Sequence, residues 1–486
     1  MPAAGPSLPA MKMPSATLAP GLAERFAAIV GGAHALRADA DVAAYVREPR
    51  GLWPGRAALV LRPGSTSEVS AILKLASETG TAVVPQGGNT GLVGGQMPDG
   101  SGSQVVVSMG RMNRIREIDL KSNTVTAEAG VILQSLRDAA MANDRLFPLS
   151  LASQGTCQIG GNLSSNAGGT GVLAYGNARE LCLGVEVVLP TGEVFDDLRK
   201  LKKDNTGYDL KDLFVGAEGT LGIITAAVMK LMPKPKGREV AWVGLASPAD
   251  ALTLFGRALE LCENGLTAFE LCMDRALDFV VRHIPGSAHP LESRHPWYVL
   301  AEISSGRSPE DARSLCEHLL GDAIEAGLAG DAVIAQSLAQ AEAFWRLRES
   351  MSDAQKPEGA SIKHDISVPV AAIPDFIEQG AHVVERVAPG ARLVCFGHMG
   401  DGNLHFNVSQ PAGMEAAAFL ARYREMNDAV HALVRSFNGS ISAEHGIGQM
   451  KRAELLATEP PVAIDLMRRV KKAFDPAGIM NPGKTI

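Results

Sequence analysis

Three short apolar runs stand close together near the N-terminus: Ala57–Leu61, Ala82–Val84 and Gln104–Val107. Runs of this length, rich in Val and Leu and bounded by Gly and Pro, predict buried β-strands. An amphipathic stretch over Ser67–Ser77 predicts a helix between the first two, and residues 21–55 also read as helical. The strand-like alternation continues to about residue 235, where Pro233-Lys234-Pro235 can extend neither a helix nor a central strand. Beyond it, long amphipathic patterns over Pro248–Glu263, Ser308–Ala326 and Glu415–Phe437 alternate with further strand signals. Ser247 before Pro248 is a good helix start, a capping hydroxyl followed by proline at the first helical position. The pattern predicts an α+β chain in four parts: an extension over 1–20, a first domain over 21–235, a second over 236–470, and a turn-rich tail over 471–486 that folds back onto the first.

Composition narrows this. With 46 % hydrophobic and 20 % charged residues, 486 residues are ample for more than one globular core. A net charge of −7 argues against nucleic acid or an anionic membrane as partner. The one basic cluster, Arg199, Lys200, Lys202 and Lys203, is flanked by Asp196, Asp197 and Asp204 and reads as a solvated loop. The six Cys form no Cys-x-x-Cys and several lie in apolar runs, which predicts buried thiols and no disulfide frame or iron–sulfur site. No apolar run is long enough to span a bilayer and no secretory pattern opens the chain, so a cytoplasmic location is expected.

The 51 Gly cluster in loops. The first loop, Pro85-Gln86-Gly87-Gly88-Asn89-Thr90-Gly91-Leu92-Val93-Gly94-Gly95, follows a predicted strand directly. Successive glycines can aim several backbone N–H groups at one point, the geometry of a phosphate nest. The second, residues 153–169, mixes glycine with small hydroxyl and amide side chains and reads as an unstructured functional loop. The third spans residues 214–224. A Gly-x-Gly-x-x-Ala match at Gly169, Gly171 and Ala174 follows no strand, so it does not support a nicotinamide fold, and no P-loop is present.

In the second domain, Phe396-Gly397-His398-Met399-Gly400-Asp401-Gly402-Asn403-Leu404-His405-Phe406-Asn407-Val408 reads as a hairpin. Its turn brings His398 and His405 near each other, and period-two alternation places His405 and Asn407 on one face. Glu444 and His445 stand side by side in a second Gly-rich segment. Two His and one Glu suit a catalytic metal with an open coordination position; a hydrogen-bonded turn network fits the same residues. Helical character over residues 344–352 puts Arg348 and Ser352 one turn apart, and an alternating stretch over 361–369 carries Lys363 on its polar face.

The three glycine loops and the two histidine motifs together resemble FAD-linked D-2-hydroxyacid dehydrogenases, the D-2-hydroxyglutarate and D-lactate dehydrogenase branch of the vanillyl-alcohol-oxidase superfamily. The resemblance runs from about residue 50 to the C-terminus. It implies a two-part PCMH-type FAD-binding domain followed by an α+β FAD-linked-oxidase C-terminal substrate domain. By that resemblance Gly87, Gly88, Asn89, Thr90 and Gly91 hold the FAD pyrophosphate, and Pro85 and Gln86 before them also bind the cofactor. Ser153, Gly155, Gly160, Gly161, Asn162, Ser165, Asn166 and Gly168, with Glu218, Gly219, Ile223, Ile224 and Asn481, face the rest of the cofactor. Relatives with covalent flavin often carry His in the first loop; Asn89 here implies noncovalent FAD.

The resemblance also implies that His398, His405 and Glu444 bind a divalent metal, typically zinc, although manganese or iron suit such ligands too. His445 is then the general base, and Arg348, Ser352, Lys363 and Asn407 contact the substrate, Ser352 standing where the family often has Thr. The implied reaction is oxidation of a D-2-hydroxy acid, foremost D-2-hydroxyglutarate, to the 2-oxo acid by hydride transfer to flavin N5. Electrons then pass to an electron-transfer flavoprotein or a quinone, and a homodimer is compatible. D-lactate or glycolate oxidation, a flavin-dependent ether-lipid transferase of the same fold, and a metal-binding module without redox turnover are the alternatives.

Overall fold

The computed structural model describes residues 18, 19, 21–48 and 50–486. The extension expected over 1–20 lies almost wholly outside the described residues. The chain divides into two units. The first comprises the described residues up to Gly168, Asn177–Pro233 and His445–Ile486; the second comprises Gly169–Gly176 and Lys234–Glu444. One break lies between Pro233 and Lys234, within the Pro-Lys-Pro segment. The later one lies between Glu444 and His445 and not near 470. No composition change marks that point, because the helix Pro461–Phe474 is as amphipathic as those before it, and Phe474 packs edge-on against Phe214 of the first unit at 5.4 Å.

The first unit carries a four-stranded sheet in the order Ala35–Leu36, Leu59–Leu61, Val105–Ser108, Val83–Gln86, the last three mutually parallel. Leu59, Val60, Leu61, Val105, Val106 and Val107 are all buried, as continuous apolar runs in a parallel sheet should be. The helix Thr66–Thr79, capped by Ser65, packs Val69, Ile72 and Leu73 into the same core. The C-terminal tail extends this sheet: Val83 N–H donates to Ile479 O at 2.8 Å and Asn481 N–H to Val83 O at 2.8 Å. A second, five-stranded antiparallel sheet runs Ile115–Asp119, Thr124–Glu128, Ile223–Lys230, Cys182–Val188, Val194–Asp197.

Two expectations here are corrected. Residues 21–55 are not one helical stretch: the helix Leu22–Val30 stops at Gly31, whose φ is 80°, and only a short helix over Asp39–Val42 follows. The second glycine loop is not structureless, for Ile159–Ser164 forms a helix within it.

The second unit is an eight-stranded antiparallel sheet. Its order is Ala329–Ile334, Gly237–Leu245, Trp297–Ser305, Leu266–Met273, Arg392–His398, Asn403–Ser409, Ser361–Ile362, with Asp365–Ser367 also paired to Asn403–Ser409. One face packs against the helices Pro248–Cys262, Pro309–Glu325, Ile373–Val387 and Tyr423–Ser436. The Ser247 hydroxyl accepts from Asp250 N–H at 3.1 Å, the cap its sequence predicts. The pattern over 415–437 splits into Ala416–Leu420 and Tyr423–Ser436. The opposite face meets the helices Asp274–His283 and Leu338–Glu349.

Arg392–His398 and Asn403–Ser409 form the expected hairpin. Its turn needs Gly402: φ is 87°, and a Cβ there would lie 2.3 Å from Val368 O. Leu404, Phe406 and Val408 enter the helix-covered core, which fixes the register and turns His405 and Asn407 to the other face. Phe406 is wholly buried with its ring 5.4 Å from Phe376. Phe406→Ala is expected to destabilise this unit by about 3–5 kcal/mol, seen as a lower urea midpoint in circular dichroism; an unchanged midpoint refutes the assignment of Phe406 as the anchor of the hairpin.

Candidate active site

In the first unit the glycine loops surround an open cavity. Pro85, Gln86, Gly87, Gly88, Asn89, Thr90 and Gly91 all line it. So do Gly160, Gly161, Asn162 and Ser165 from the second loop, and Glu218, Gly219, Ile223 and Ile224 from the third. His445 lines it too. Ser153, Gly155, Asn166, Gly168 and Asn481 do not. Asn166 instead accepts from Arg179 N–H at 2.9 Å. Asn481 donates to Gly95 O at 2.9 Å and Glu218 O at 2.7 Å, tying the tail to the first and third loops. Both asparagines stand at positive φ.

The cavity suits a dinucleotide. Gln158 Oε1 and Asn162 Oδ1 are buried without a hydrogen-bond partner among the described residues, and both residues line the cavity. Buried polar atoms of this kind call for a ligand's donors. Asn89 Nδ2 donates to Ala44 O at 3.0 Å and Arg47 O at 2.8 Å, and an amide is no nucleophile for a covalent flavin bond. Glu218 has a further task. Its two carboxylate oxygens accept Ile447 N–H at 2.7 Å and Gly448 N–H at 2.8 Å, so it holds the segment immediately after His445. Burial pushes the Glu218 carboxyl upward, and these backbone bonds pull against that.

In the second unit, one ligand atom each from His398, His405 and Glu444 lie within 4.8 Å of one another, close enough to share one cation. The His398 and His405 rings are 5.5 Å apart. His398 Nδ1 meets Glu270 Oε1 at 2.8 Å, and His398 Nε2 lies 3.7 Å from Glu444 Oε1. Burial alone would lower the His398 imidazole, but the Glu270 and Glu444 carboxylates overcome it and hold the group up at about 9. The donor set fits a divalent cation by its atoms, two imidazoles and a carboxylate, the cation displacing the proton that the carboxylates otherwise hold on His398. Glu444 is itself placed, its N–H donating to Asp365 Oδ2 at 3.0 Å and its Oε1 accepting Gly169 N–H at 2.5 Å.

Arg348 ends the helix Leu338–Glu349 and is buried over the Phe396 ring, 5.0 Å from its centroid. Its Nε donates to Glu270 Oε2 at 2.8 Å. Arg348 Nη2 is 2.8 Å from the same oxygen but off the hydrogen-bond line, and makes no hydrogen bond among the described residues. Angle decides here: proximity without alignment leaves that N–H free to seek an acceptor. Ser352 lies beyond the helix end and not one turn along its face, as expected earlier, because the chain leaves the helix at Ser350. Lys363 lies in the break between Ser361–Ile362 and Asp365–Ser367, not within a continuous strand. The structure nevertheless joins the two, with Lys363 Nζ donating to Ser352 O at 3.0 Å and Oγ at 3.1 Å. Asn407 is buried on the same sheet face as His405.

Sequence reasoning missed Glu270 and Asp365. Glu270 stands inside the apolar run Ala268–Cys272; a lone carboxylate flanked by Phe and Leu in a predicted strand was the available signal. All six cysteines are buried and free, as expected.

Gly88 tests the cavity directly. A Cβ there would fall 2.1 Å from Thr156 O and 2.9 Å from Thr156 C, so backbone must move. Gly88→Ala is expected to cut flavin absorbance per protein at purification by at least about tenfold, the equivalent of about 1.4 kcal/mol. Full flavin content in that variant contradicts the placement of the cofactor.

The family described as FAD linked oxidases, C-terminal domain, matches residues 234–485, and the FAD binding domain family matches residues 57–197. D-2-hydroxyglutarate dehydrogenase of Xanthomonas citri pv. viticola is 36 % identical over 92 % of this chain and 92 % of its own length. The mitochondrial D-2-hydroxyglutarate dehydrogenase of Arabidopsis thaliana is 38 % identical over 89 % of this chain and 76 % of its own length. The D-2-hydroxyglutarate–pyruvate transhydrogenase of Saccharomyces cerevisiae is 34 % identical over 93 % and 90 %. Among solved structures, p-cresol methylhydroxylase shares the fold with a TM-score of 0.74 at 17 % identity, covering 97 % of this chain and 98 % of that one. Alkyldihydroxyacetonephosphate synthase does so at 0.72 and 18 %, covering 97 % and 86 %. The chain belongs to the FAD-linked oxidases, an FAD-binding domain joined to that family's C-terminal domain.

Proposed function

We propose that this protein oxidises a D-2-hydroxy acid, foremost D-2-hydroxyglutarate, to the corresponding 2-oxo acid, with noncovalent FAD and a divalent metal, zinc in the first place. The observation that carries the reading is the His398, His405 and Glu444 cluster in a unit that also buries Arg348 with an uncommitted N–H. The names of relatives 36–38 % identical, D-2-hydroxyglutarate dehydrogenases, support the substrate class.

When bound, FAD would supply the acceptor for the electron pair at C2, and a metal held by His398, His405 and Glu444 would supply Lewis acidity toward the 2-hydroxyl. The protein's own groups do the rest. The Arg348 guanidinium binds the C1 carboxylate, since its Nε is spent on Glu270 and its outer nitrogens remain. His445 takes the hydroxyl proton as general base. Lys363, held by Ser352, offers positive charge to the second carboxylate of a five-carbon diacid, and Asn407 offers an amide to the substrate. We assign the outgoing electrons to an electron-transfer flavoprotein or a quinone.

The test is anaerobic bleaching of the flavin by D-2-hydroxyglutarate, D-lactate and D-malate, before and after chelation. Bleaching fastest with D-2-hydroxyglutarate and lost on chelation is expected. A flavin that no D-2-hydroxy acid reduces, even with metal restored, sinks the proposal. His445→Asn is expected to lower the rate of reduction by about 10²–10⁴-fold, the usual range for a general base, with flavin content unchanged.

A further inference from the structure

Glu270 is a charge in an unfavourable place. It is 1 % exposed in the middle of the strand Leu266–Met273, and an ionised carboxylate taken out of water is costly unless fully paired. Its partners divide cleanly. Antiparallel register sets Glu270 directly opposite His398, and Oε1 accepts from His398 Nδ1 at 2.8 Å. The last turn of the helix Leu338–Glu349 brings Arg348, whose Nε donates to Oε2 at 2.8 Å. Neither bond is to a group outside the reading given above, and the inference rests on that reading.

Each bond leaves its donor with one defined capacity. A neutral His398, the form a metal ion binds, that donates from Nδ1 carries its lone pair on Nε2, the atom that faces Glu444. An Arg348 pinned at Nε keeps its two outer nitrogens for an anion, and its plane is fixed over Phe396. We propose that Glu270 is the positioning residue that sets metal affinity and carboxylate recognition together, by choosing the His398 tautomer with one oxygen and the Arg348 orientation with the other.

The substitution Glu270→Gln makes this sharp, because an amide of the same shape has one acceptor and one donor. If its oxygen faces Arg348, its NH₂ faces His398 Nδ1, which must then accept and move its proton to Nε2. If its oxygen faces His398, its NH₂ opposes the guanidinium. Arg348 cannot give up its charge, so the first arrangement prevails and metal ligation suffers.

The experiment is zinc titration of the flavin-loaded, chelator-stripped full chain against a chromophoric competitor, for wild type, Glu270→Gln, Glu270→Asp and His405→Ala. The first substitution is expected to weaken zinc binding about 10–100-fold, the usual effect of losing such a partner, with flavin absorbance retained. Glu270→Asp keeps the charge but cannot reach both donors, so it is expected to weaken zinc several-fold. A carboxylate with a merely structural role would lower the melting temperature and leave the zinc affinity of the folded protein alone. Either variant, folded and binding zinc as tightly as wild type, overturns the inference. Wild type binding zinc no better than His405→Ala overturns the metal reading itself, and the inference with it.

Discussion

The antiparallel register of three strands, Leu266–Met273, Arg392–His398 and Asn403–Ser409, is the constraint on which the second unit depends. Side chains alternate across a sheet, so one register decides at once what enters the core and what enters the site. Leu271, Cys395, Leu404, Phe406 and Val408 fill the helix-covered side. Glu270, His398, His405 and Asn407 occupy the other. A slip of one residue would drive histidines into a core of Phe and Leu and bring Phe406 into the site. The polar cluster is therefore held in place by apolar packing on the opposite face of the sheet.

That arrangement makes burial work for the site. Removal from water raises the energy of every unpaired charge, so only a closed set of partners survives. Glu270 lies well below the usual carboxylate range despite its burial, because His398 and Arg348 favour its charged form more than desolvation opposes it. Asp401, by contrast, is pushed up to about 6, chiefly by burial. Asp401 lies in the turn after His398, and of these two carboxylates Glu270 is the one bonded to both His398 and Arg348.

Much of this was legible in the sequence where local chemistry is strong. Serine before proline reported a helix start at Ser247, Gly-Asp-Gly-Asn reported the hairpin, and clustered glycines reported the loops around the cavity. Signals that depend on distant partners were not legible. Glu270 looks like an interruption in an apolar strand until the register sets it against His398. The pairing of Lys363 with Ser352 was hidden because both leave their regular elements just before they meet. Asn481, expected to face the cofactor, also donates its amide to two loops that line the cavity. The passage from one unit to the other at Glu444–His445 has no signal at all, since chain adjacency masks it.

Glu444 and His445 nonetheless show how adjacent residues acquire separate duties. Glu444 is fixed from its own unit, through its N–H to Asp365 and its carboxylate to Gly169 N–H. The residues after His445 are fixed from the other, through Ile447 and Gly448 N–H to Glu218. Glu218 can reach them because it adopts a positive φ of 51°, a conformation with a price for any residue but glycine. Strain of that kind persists only where surrounding bonds outweigh it, and here two charge-assisted bonds do. A carboxylate in each unit, Glu270 in one and Glu218 in the other, bonds either a histidine of the cluster or the segment that follows His445.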